Sequence, residues 1–127
     1  METPAQNIKP WAVACIQANW ENYNPNYRGE MQGDALKQRN LEMMCAYIDA
    51  CFNVGVRPRP VRLVCFPEFG IGGMYASGTT TEEIKKYQAI TIPGPETDML
   101  AAKAKQYNTY IAAVNHENHP DRPDYFF

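Results

Sequence analysis

The sequence predicts an α/β domain in which a parallel or mixed sheet is connected by helical crossovers. Two observations favour this fold class. Three apolar runs of strand length alternate along the chain with segments that have a helical period. The runs are apolar throughout, as is typical of strands that are buried on both faces. The 127 residues suffice for one domain or part of one.

The first run, Trp11 to Ala18, is the predicted first strand. The segment from Asn19 to Gly33 is rich in Asn, Tyr, Pro and Gly and has no period, so it is predicted to be a long loop. Loops of this length that are not linkers often form walls of functional sites.

A long helix is predicted from Asp34 to Val54. Its apolar stripe at helical spacing comprises Leu41, Met44, Ile48, Cys51 and Phe52. Asp34 is expected to cap the start, and Gly55 to end the helix in a left-handed conformation. Lys37 is expected to point away from the core.

The central run, Leu63 to Phe66, is the predicted middle strand. Pro67 has no N–H to donate, so pairing is expected to stop there. Glu68 would then lie at the carboxyl end of the strand, facing the cleft built by the next loops, where active sites of α/β sheets collect. Three glycines follow within 69–75, and they let the backbone pass close to that carboxylate.

Two further helices and a third strand are predicted over 81–87, 96–107 and 109–114. Thr80 and Glu83 have the spacing of a capping box, and Asn108 is expected to end the last helix. Two good helices cover mainly one face of a three-stranded sheet. The other face is therefore expected to lack cover, as in part of a larger domain.

Composition excludes several function classes. A net charge of −2 gives no electrostatic reason to expect a nucleic-acid partner. No apolar run approaches the ~20 residues that a bilayer requires. The N-terminus lacks the basic start and apolar middle of a signal peptide, which favours a cytoplasmic location.

Four cysteines, at 15, 45, 51 and 65, contain no C-x-x-C pair. Each lies in an apolar run or on an apolar helix face. We interpret them as small buried thiols in a reducing compartment, in preference to disulfides or zinc ligands.

Two other patterns invite a binding-site interpretation. Gly70 to Tyr75 resembles a dinucleotide-binding turn, but Tyr75 stands at the third glycine position and no helix follows directly. His116, Glu117 and His119 with Asp121 have metal-ligand chemistry. Their spacing is one residue short of H-E-x-x-H, and Pro120 opposes a helix. A hydrated loop without metal is expected there.

Several motifs in order carry a family resemblance. Val64–Glu68 resembles the strand and Phe-Pro-Glu motif of the nitrilase superfamily, the carbon–nitrogen hydrolases. Ile92–Thr97, followed by a helix and Tyr110–Ala112, is similar to the family's next segment. The first strand ending at Gln17 and the helix containing Asn40–Glu42 fit the same order. The resemblance covers nearly the whole chain.

The resemblance implies an α-β-β-α sandwich of which residues 1–127 would be the N-terminal part, about one half. The second sheet of the sandwich would cover the bare sheet face. A homo-oligomer, or association with the C-terminal half, is implied as well. The family uses a Glu-Lys-Cys triad without metal or organic cofactor. Only the glutamate carries over, to Glu68, because the lysine and the nucleophilic cysteine belong to segments after Phe127.

The implied function is hydrolysis of a small amide, carbamoyl or nitrile substrate, with an amidase or carbamoyl hydrolase favoured over a nitrilase. Glu68 would be the catalytic base. Tyr75, at the end of the loop that leaves the site, is a candidate for substrate binding, with core packing as the alternative. Two other classes stay open: a non-catalytic binding or assembly module, and a nucleotide-binding α/β domain. Substrate identity does not follow from the sequence.

Overall fold

The structure is a computed structural model that describes residues 9–20, 33–54 and 58–122. These residues form three strands and three helices, with one helix between the first two strands and two helices between the last two. Their bounds are β1 Ala12–Cys15, α1 Asp34–Asn53, β2 Val61–Glu68, α2 Thr81–Tyr87, α3 Pro95–Tyr107 and β3 Tyr110–Val114. The predicted α/β class is confirmed. Boundaries differ mainly at β1, where the strand is half as long as the apolar run.

The strands form one parallel sheet in the order β1-β2-β3. The strand with the longest apolar run therefore lies in the middle, as its composition predicts. Register aligns Val13 with Leu63 and Leu63 with Tyr110, and the next row aligns Cys15 with Cys65. Because register partners point to the same side of a sheet, these residues share one face.

Helices α1 and α3 pack on the opposite face. Leu41, Met44 and Ile48 of α1 are fully buried in one cluster with Val64 and Phe66 of β2. Burial of each such side chain contributes about 1.5–3 kcal/mol to folding. This apolar layer fixes α1 against the central strand, so the helix can serve as a rigid support for the residues at the strand's end.

The other sheet face is open. Its side chains include Val13, Tyr110 and Val114, which are 46%, 78% and 53% exposed. No described helix or strand packs over them, so the predicted bare face is confirmed for this part of the chain. We call this surface the open face; it comprises Val13, Cys15, Leu63, Cys65, Tyr110, Ala112 and Val114.

Helix α1 begins differently from the prediction. Gly33 occupies the N-cap with φ 61°, and no side chain caps the helix. The Asp34 carboxylate instead forms an ion pair with Lys37, with Lys37 Nζ 2.9 Å from Asp34 Oδ1. Lys37, expected on a polar face, is buried along its stem, because long side chains can cover apolar surface while their charge reaches a partner. The predicted C-cap, Gly55, lies outside the described residues.

The ends of α2 and α3 follow the sequence prediction. Thr80 Oγ1 accepts from the Glu83 N–H at 3.2 Å, and the Glu83 carboxylate accepts from the Thr80 N–H at 2.8 Å. This is the predicted capping box. Asn108 ends α3 in the left-handed region at φ 48°. Among the described helices, none is both long and apolar enough to cross a membrane.

A polar clamp joins α1 to α3. Lys103 Nζ donates to both Asp49 carboxylate oxygens at 2.6 and 2.7 Å, and the Tyr107 hydroxyl donates to Asp49 Oδ1 at 2.8 Å. The hydrogen bond from Lys103, and then that from Tyr107, lowers the pKa of Asp49. The Tyr107 ring also stacks on Phe52 with centroids 4.3 Å apart. The clamp fixes the two helices that cover the sheet.

The cysteines divide by sheet face. Cys45 is buried in α1, and burial raises its pKa. Cys51 and Cys65 are half-buried, while Cys15 is exposed on the open face, so the prediction of burial is wrong for Cys15. The apolar run around Cys15 predicts cover on both sides, whereas the described chain covers one. None of the four cysteines forms a disulfide within the described residues.

Candidate active site

Glu68 is the last residue of β2 and pairs with Val114 of β3. The prediction that pairing stops at Pro67 is wrong. Register shifts between Cys65 and Glu68, which places Pro67 in an irregularity where no N–H is needed. Pairing then resumes, and the Phe69 N–H donates to Val114 O at 2.7 Å. The backbone on both sides of the Glu68 carboxylate is thus fixed by the sheet.

The Glu68 side chain is exposed. It stands in register with Val114, at the edge of the open face. No hydrogen bond or ion pair joins its carboxylate to the residues that the structure describes. The sequence predicted that Glu68 faces a cleft; the described loops leave it at the rim of an uncovered surface instead. Enclosure of this carboxylate therefore requires something placed over the open face.

A sharp turn begins directly after Glu68. Phe69 adopts φ 57°, a left-handed conformation that costs a residue with a side chain about 1 kcal/mol or more. Such a conformation persists only where the surroundings hold it. Here the Gly73 N–H donates to Phe69 O at 2.7 Å, and the Ile71 N–H donates to Asn115 Oδ1 at 2.8 Å. We call residues 69–73 the turn.

Two buried amide side chains bind the turn from behind. Asn40 Nδ2, from α1, donates to Ile71 O at 3.0 Å. Gln88 Nε2, just after α2, donates to Gly73 O at 2.8 Å and Gly72 O at 3.2 Å. Both side chains are fully buried. Sequence reasoning missed their role; the available signal was a polar residue, Asn40, adjoining the apolar stripe of α1.

Gly72 lies directly against the backbone of Gln88. A Cβ built there would stand 2.5 Å from the Gln88 backbone oxygen, closer than real Cβ contacts. The glycine is required because two backbone segments touch, rather than for an unusual φ. The close approach brings the turn within reach of the Gln88 amide.

An aromatic group adjoins the turn. The Phe69 ring stacks on His116 with centroids 4.6 Å apart and planes at 23°. The Tyr75 ring lies 6.2 Å from Phe69 and 5.9 Å from His116 and is 48% exposed. Burial lowers the pKa of His116, which favours the neutral imidazole. Tyr75, the candidate substrate-binding residue, therefore lies beside Phe69, the residue that follows Glu68.

The segment after β3 differs from the expected hydrated loop. The Ile90 N–H donates to His116 O at 2.9 Å, and the Asn118 N–H donates to Ile90 O at 2.8 Å. The Asn118 side chain also donates to Lys85 O at 2.8 Å. The segment forms an isolated parallel bridge between Glu117 and Ile90 and is half-buried, because Ile90 provides a pairing partner distant in sequence. Within the described ranges, no three metal-ligating side chains converge.

A cavity of about 370 Å³ lies between α3 and β3, and Glu68 is not one of its lining residues. Leu100, Ala104, Ile111 and Ile90 contribute to its wall, and the lining contains no carboxylate, thiol, amine or imidazole. It is suited to apolar packing, and its polar lining consists of the Thr97, Thr109 and Tyr110 hydroxyls and the Asn115 amide, with no carboxylate or imidazole in the lining to act as their base. The candidate chemistry of this chain is therefore at the strand end, in spite of its exposure.

Comparison with known proteins decides the family. The profile described as carbon-nitrogen hydrolase matches residues 12–126. This chain belongs to the carbon–nitrogen hydrolase family. The match includes every described helix and strand, so the resemblance predicted from the sequence motifs is confirmed.

Individual relatives of this carbon–nitrogen hydrolase chain match shorter stretches. A bifunctional nitrilase/nitrile hydratase from Nicotiana tabacum is 44% identical in an alignment of 64 residues, and the match covers 39% of this chain and 18% of the relative. A formamidase from Bacillus thuringiensis (strain Al Hakam) is 36% identical over 61 residues, 48% of this chain and 17% of the relative. These matches cover less than a fifth of the length of either relative.

Proposed function

We propose that this chain is the N-terminal part of a single hydrolase domain that cleaves a non-peptide carbon–nitrogen bond in a small amide, carbamoyl or nitrile substrate. Glu68 is its general base. The observation that carries the proposal is the position of Glu68 as the last paired residue of a central parallel strand, at the edge where α/β enzymes place their chemistry. Family membership supports the reaction class.

The chemistry assigns a specific task to this carboxylate. Glu68 removes the proton of a cysteine thiol, and the thiolate forms a bond to the substrate carbon. For an amide, the carbon–nitrogen bond then breaks and the nitrogen leaves with a proton. Water activated by the same carboxylate hydrolyses the thioester. A lysine ammonium stabilises the charge that develops on oxygen or nitrogen. We place that lysine and cysteine in sequence beyond Phe127, with no metal or organic cofactor required.

The open face supplies the second part of the proposal. We infer that a second sheet covers Val13, Tyr110 and Val114, which completes an α-β-β-α sandwich and encloses Glu68. Their exposures of 46%, 78% and 53% are high for apolar side chains on adjacent strands. Such a surface supports association with the C-terminal part of the enzyme or with a second protomer.

Tyr75 is proposed to bind substrate. Its half-exposed ring continues an aromatic wall with Phe69 and His116, beginning one residue after the base. An amidase or carbamoyl hydrolase is favoured over a nitrilase. Tyrosine offers both an apolar ring and a hydroxyl donor, which suits a small polar substrate with an apolar substituent.

The test is hydrolysis by a polypeptide that contains this chain together with the segments supplying the lysine and cysteine. We expect Glu68→Gln to lower kcat by about 10²–10⁴-fold, since it removes the general base and keeps the shape. Glu82→Gln, on the exposed face of α2, is the matched control. Amide hydrolysis by the 127-residue chain alone, lost in Glu68→Gln, would show that the proposed triad is wrong.

A non-catalytic assembly module is the second candidate, and the exposed carboxylate beside an open apolar face favours it. In that case binding of a partner chain would depend on Val13 and Tyr110. Glu68→Gln would leave the biological activity unchanged. The Glu68→Gln variant therefore distinguishes the two candidate functions, because only the hydrolase would lose activity.

A further inference from the structure

Two buried amides, Gln88 and Asn40, contact the turn that follows Glu68. We propose that both are positioning residues for the Glu68 carboxylate and act on it through the backbone of the turn. This inference rests on the proposed role of Glu68 as general base. It assigns Gln88 and Asn40 to the reaction although neither touches a reacting atom.

Gln88 has its orientation fixed by chemistry. Its Nε2 stands 2.8 and 3.2 Å from two carbonyl oxygens, those of Gly73 and Gly72. Only the NH₂ end of an amide can donate to two acceptors, so rotating the amide would place oxygen against oxygen. Gln88 Oε1 makes no hydrogen bond with any residue of the described ranges. The buried side chain is therefore committed to the turn.

Asn40 binds the same turn from a different element. Its Nδ2 donates to Ile71 O at 3.0 Å, while the Ile71 N–H is bound by Asn115. Asn40 is 0% exposed and belongs to the helix face that packs on the central strand. Glu68 belongs to β2, and Asn40, which binds the turn, belongs to α1. Both residues are therefore held by the packing of α1 on β2.

The backbone of the turn connects the carbonyl groups that these amides bind to Glu68. Gly73 N–H donates to Phe69 O, so a shift of Gly73 moves the residue next to the base. Phe69 is held at φ 57°, which L-residues adopt only under constraint. Removing the donors to Ile71, Gly72 and Gly73 relaxes that constraint. The direction in which the strand end presents Glu68 then changes.

An exposed carboxylate makes backbone positioning necessary. No side chain in the described ranges holds Glu68, and its own rotamers are free to vary on an open surface. A misplacement of about 1 Å in catalytic geometry can cost about 10²-fold in rate. The backbone of β2 and the turn are the described parts that limit where the carboxylate can point.

The first test compares Gln88→Glu with Gln38→Glu in the polypeptide that carries the whole triad. Gln38 is an exposed α1 amide that donates to Glu42, so its conversion to an acid is a matched control. We expect Gln88→Glu to lower kcat about 10²-fold with KM changed less than about 3-fold. The ratio of mutant to wild-type kcat should rise as pH falls, because the introduced carboxyl group can donate to Gly73 O again once it is protonated.

A merely structural role would make that ratio follow the folded fraction, which circular dichroism measures in the same buffers. A fully folded Gln88→Glu enzyme with wild-type kcat at alkaline pH, where the introduced carboxyl group is ionised, would overturn the inference. Gln88→Met is the second variant, because it removes the donor without burying a charge. It should lose kcat at every pH, with no recovery in acid.

A readout without turnover separates this inference from the proposed function. In the 127-residue chain, NMR shifts of the Glu68 carboxyl carbon and of the Phe69 backbone should move in Gln88→Met and Asn40→Asp and stay in Gln38→Glu. If the wild-type enzyme hydrolyses no amide, carbamoyl compound or nitrile, the proposed function fails. The NMR shifts then still test the positioning role, which does not depend on turnover. Unchanged shifts in both Gln88→Met and Asn40→Asp would overturn that role.

Discussion

Glu68 and Val114 are partners across two parallel strands, although the residue before Glu68 is a proline. The pairing continues with the Phe69 N–H, which donates to Val114 O at 2.7 Å. The sheet therefore extends one step beyond the residue that should have ended it. This extension fixes the backbone of the candidate base before the chain turns away.

Gly72 should tolerate a methyl group poorly. In Gly72→Ala the new Cβ would meet the Gln88 backbone oxygen at 2.5 Å, so the turn must move. We expect a loss of about 1–3 kcal/mol in the free energy of unfolding, measured by urea titration. Gly70→Ala is the control, because its Cβ would have ordinary contacts of 3.5 Å or more. Equal losses in the two variants would show that the close contact is not the cause.

The open face should make the isolated chain associate. Val13→Lys places a charge on that face, at a position already 46% exposed. We expect weaker self-association in sedimentation equilibrium and lower binding of a hydrophobic dye. The change in stability should stay below about 0.5 kcal/mol. Val54→Lys, exposed by 64% at the end of α1, should change neither measurement. Unaltered association in Val13→Lys would remove this face from the interface.

His116 should make the chain less stable in mild acid. Its folded-state pKa is lowered by burial, so the unfolded chain takes up the proton first as pH falls. The full contribution is present above the unfolded pKa near 6.5 and is lost as pH falls from there toward the folded-state pKa. In His116→Phe, which keeps an aromatic ring on Phe69, the midpoint of thermal unfolding should lose this dependence. An unchanged pH profile would contradict the burial argument.

The clamp of Asp49 and Lys103 should act at both ends of the pH range. The pKa of Asp49 is lowered by the Lys103 hydrogen bond, so its contribution is present above an unfolded pKa of about 3.8 and is lost in stronger acid. The pKa of Lys103 is raised by the same bond, and its contribution is lost as pH rises above about 10.5.

Asp49→Asn should therefore flatten the stability profile in acid and in alkali, as measured by thermal unfolding from about pH 2 to about pH 11 at low salt. Asp98→Asn, in the exposed first turn of α3, is the control. High salt should weaken the effect only in part, because the Lys103 and Asp49 side chains are 22% and 35% exposed. A profile unaltered in Asp49→Asn would show that the clamp carries no stability.

Local patterns predict the structure correctly where neighbouring residues decide the outcome. The capping box of Thr80 and Glu83, the end of α3 at Asn108 and the central place of β2 all follow from short-range chemistry. The predicted cap at Asp34 is wrong because Gly33 occupies the N-cap, which makes Asp34 the first helical residue. The prediction that Cys15 is buried is wrong, because an apolar run does not reveal whether the chain covers one face of the strand or both.

The sequence by itself determined the α/β class, the family, and Glu68 as the candidate base, since each is written in contiguous residues. Tertiary structure alone decided that pairing passes Pro67 and that Glu68 is exposed. It also decided that Asn40, Gln88 and Asn115 meet at one turn. These residues lie far apart along the chain, and a buried hydrogen bond between distant segments leaves no periodic trace in the sequence. Only the folded backbone brings each of these amides within hydrogen-bonding distance of the turn.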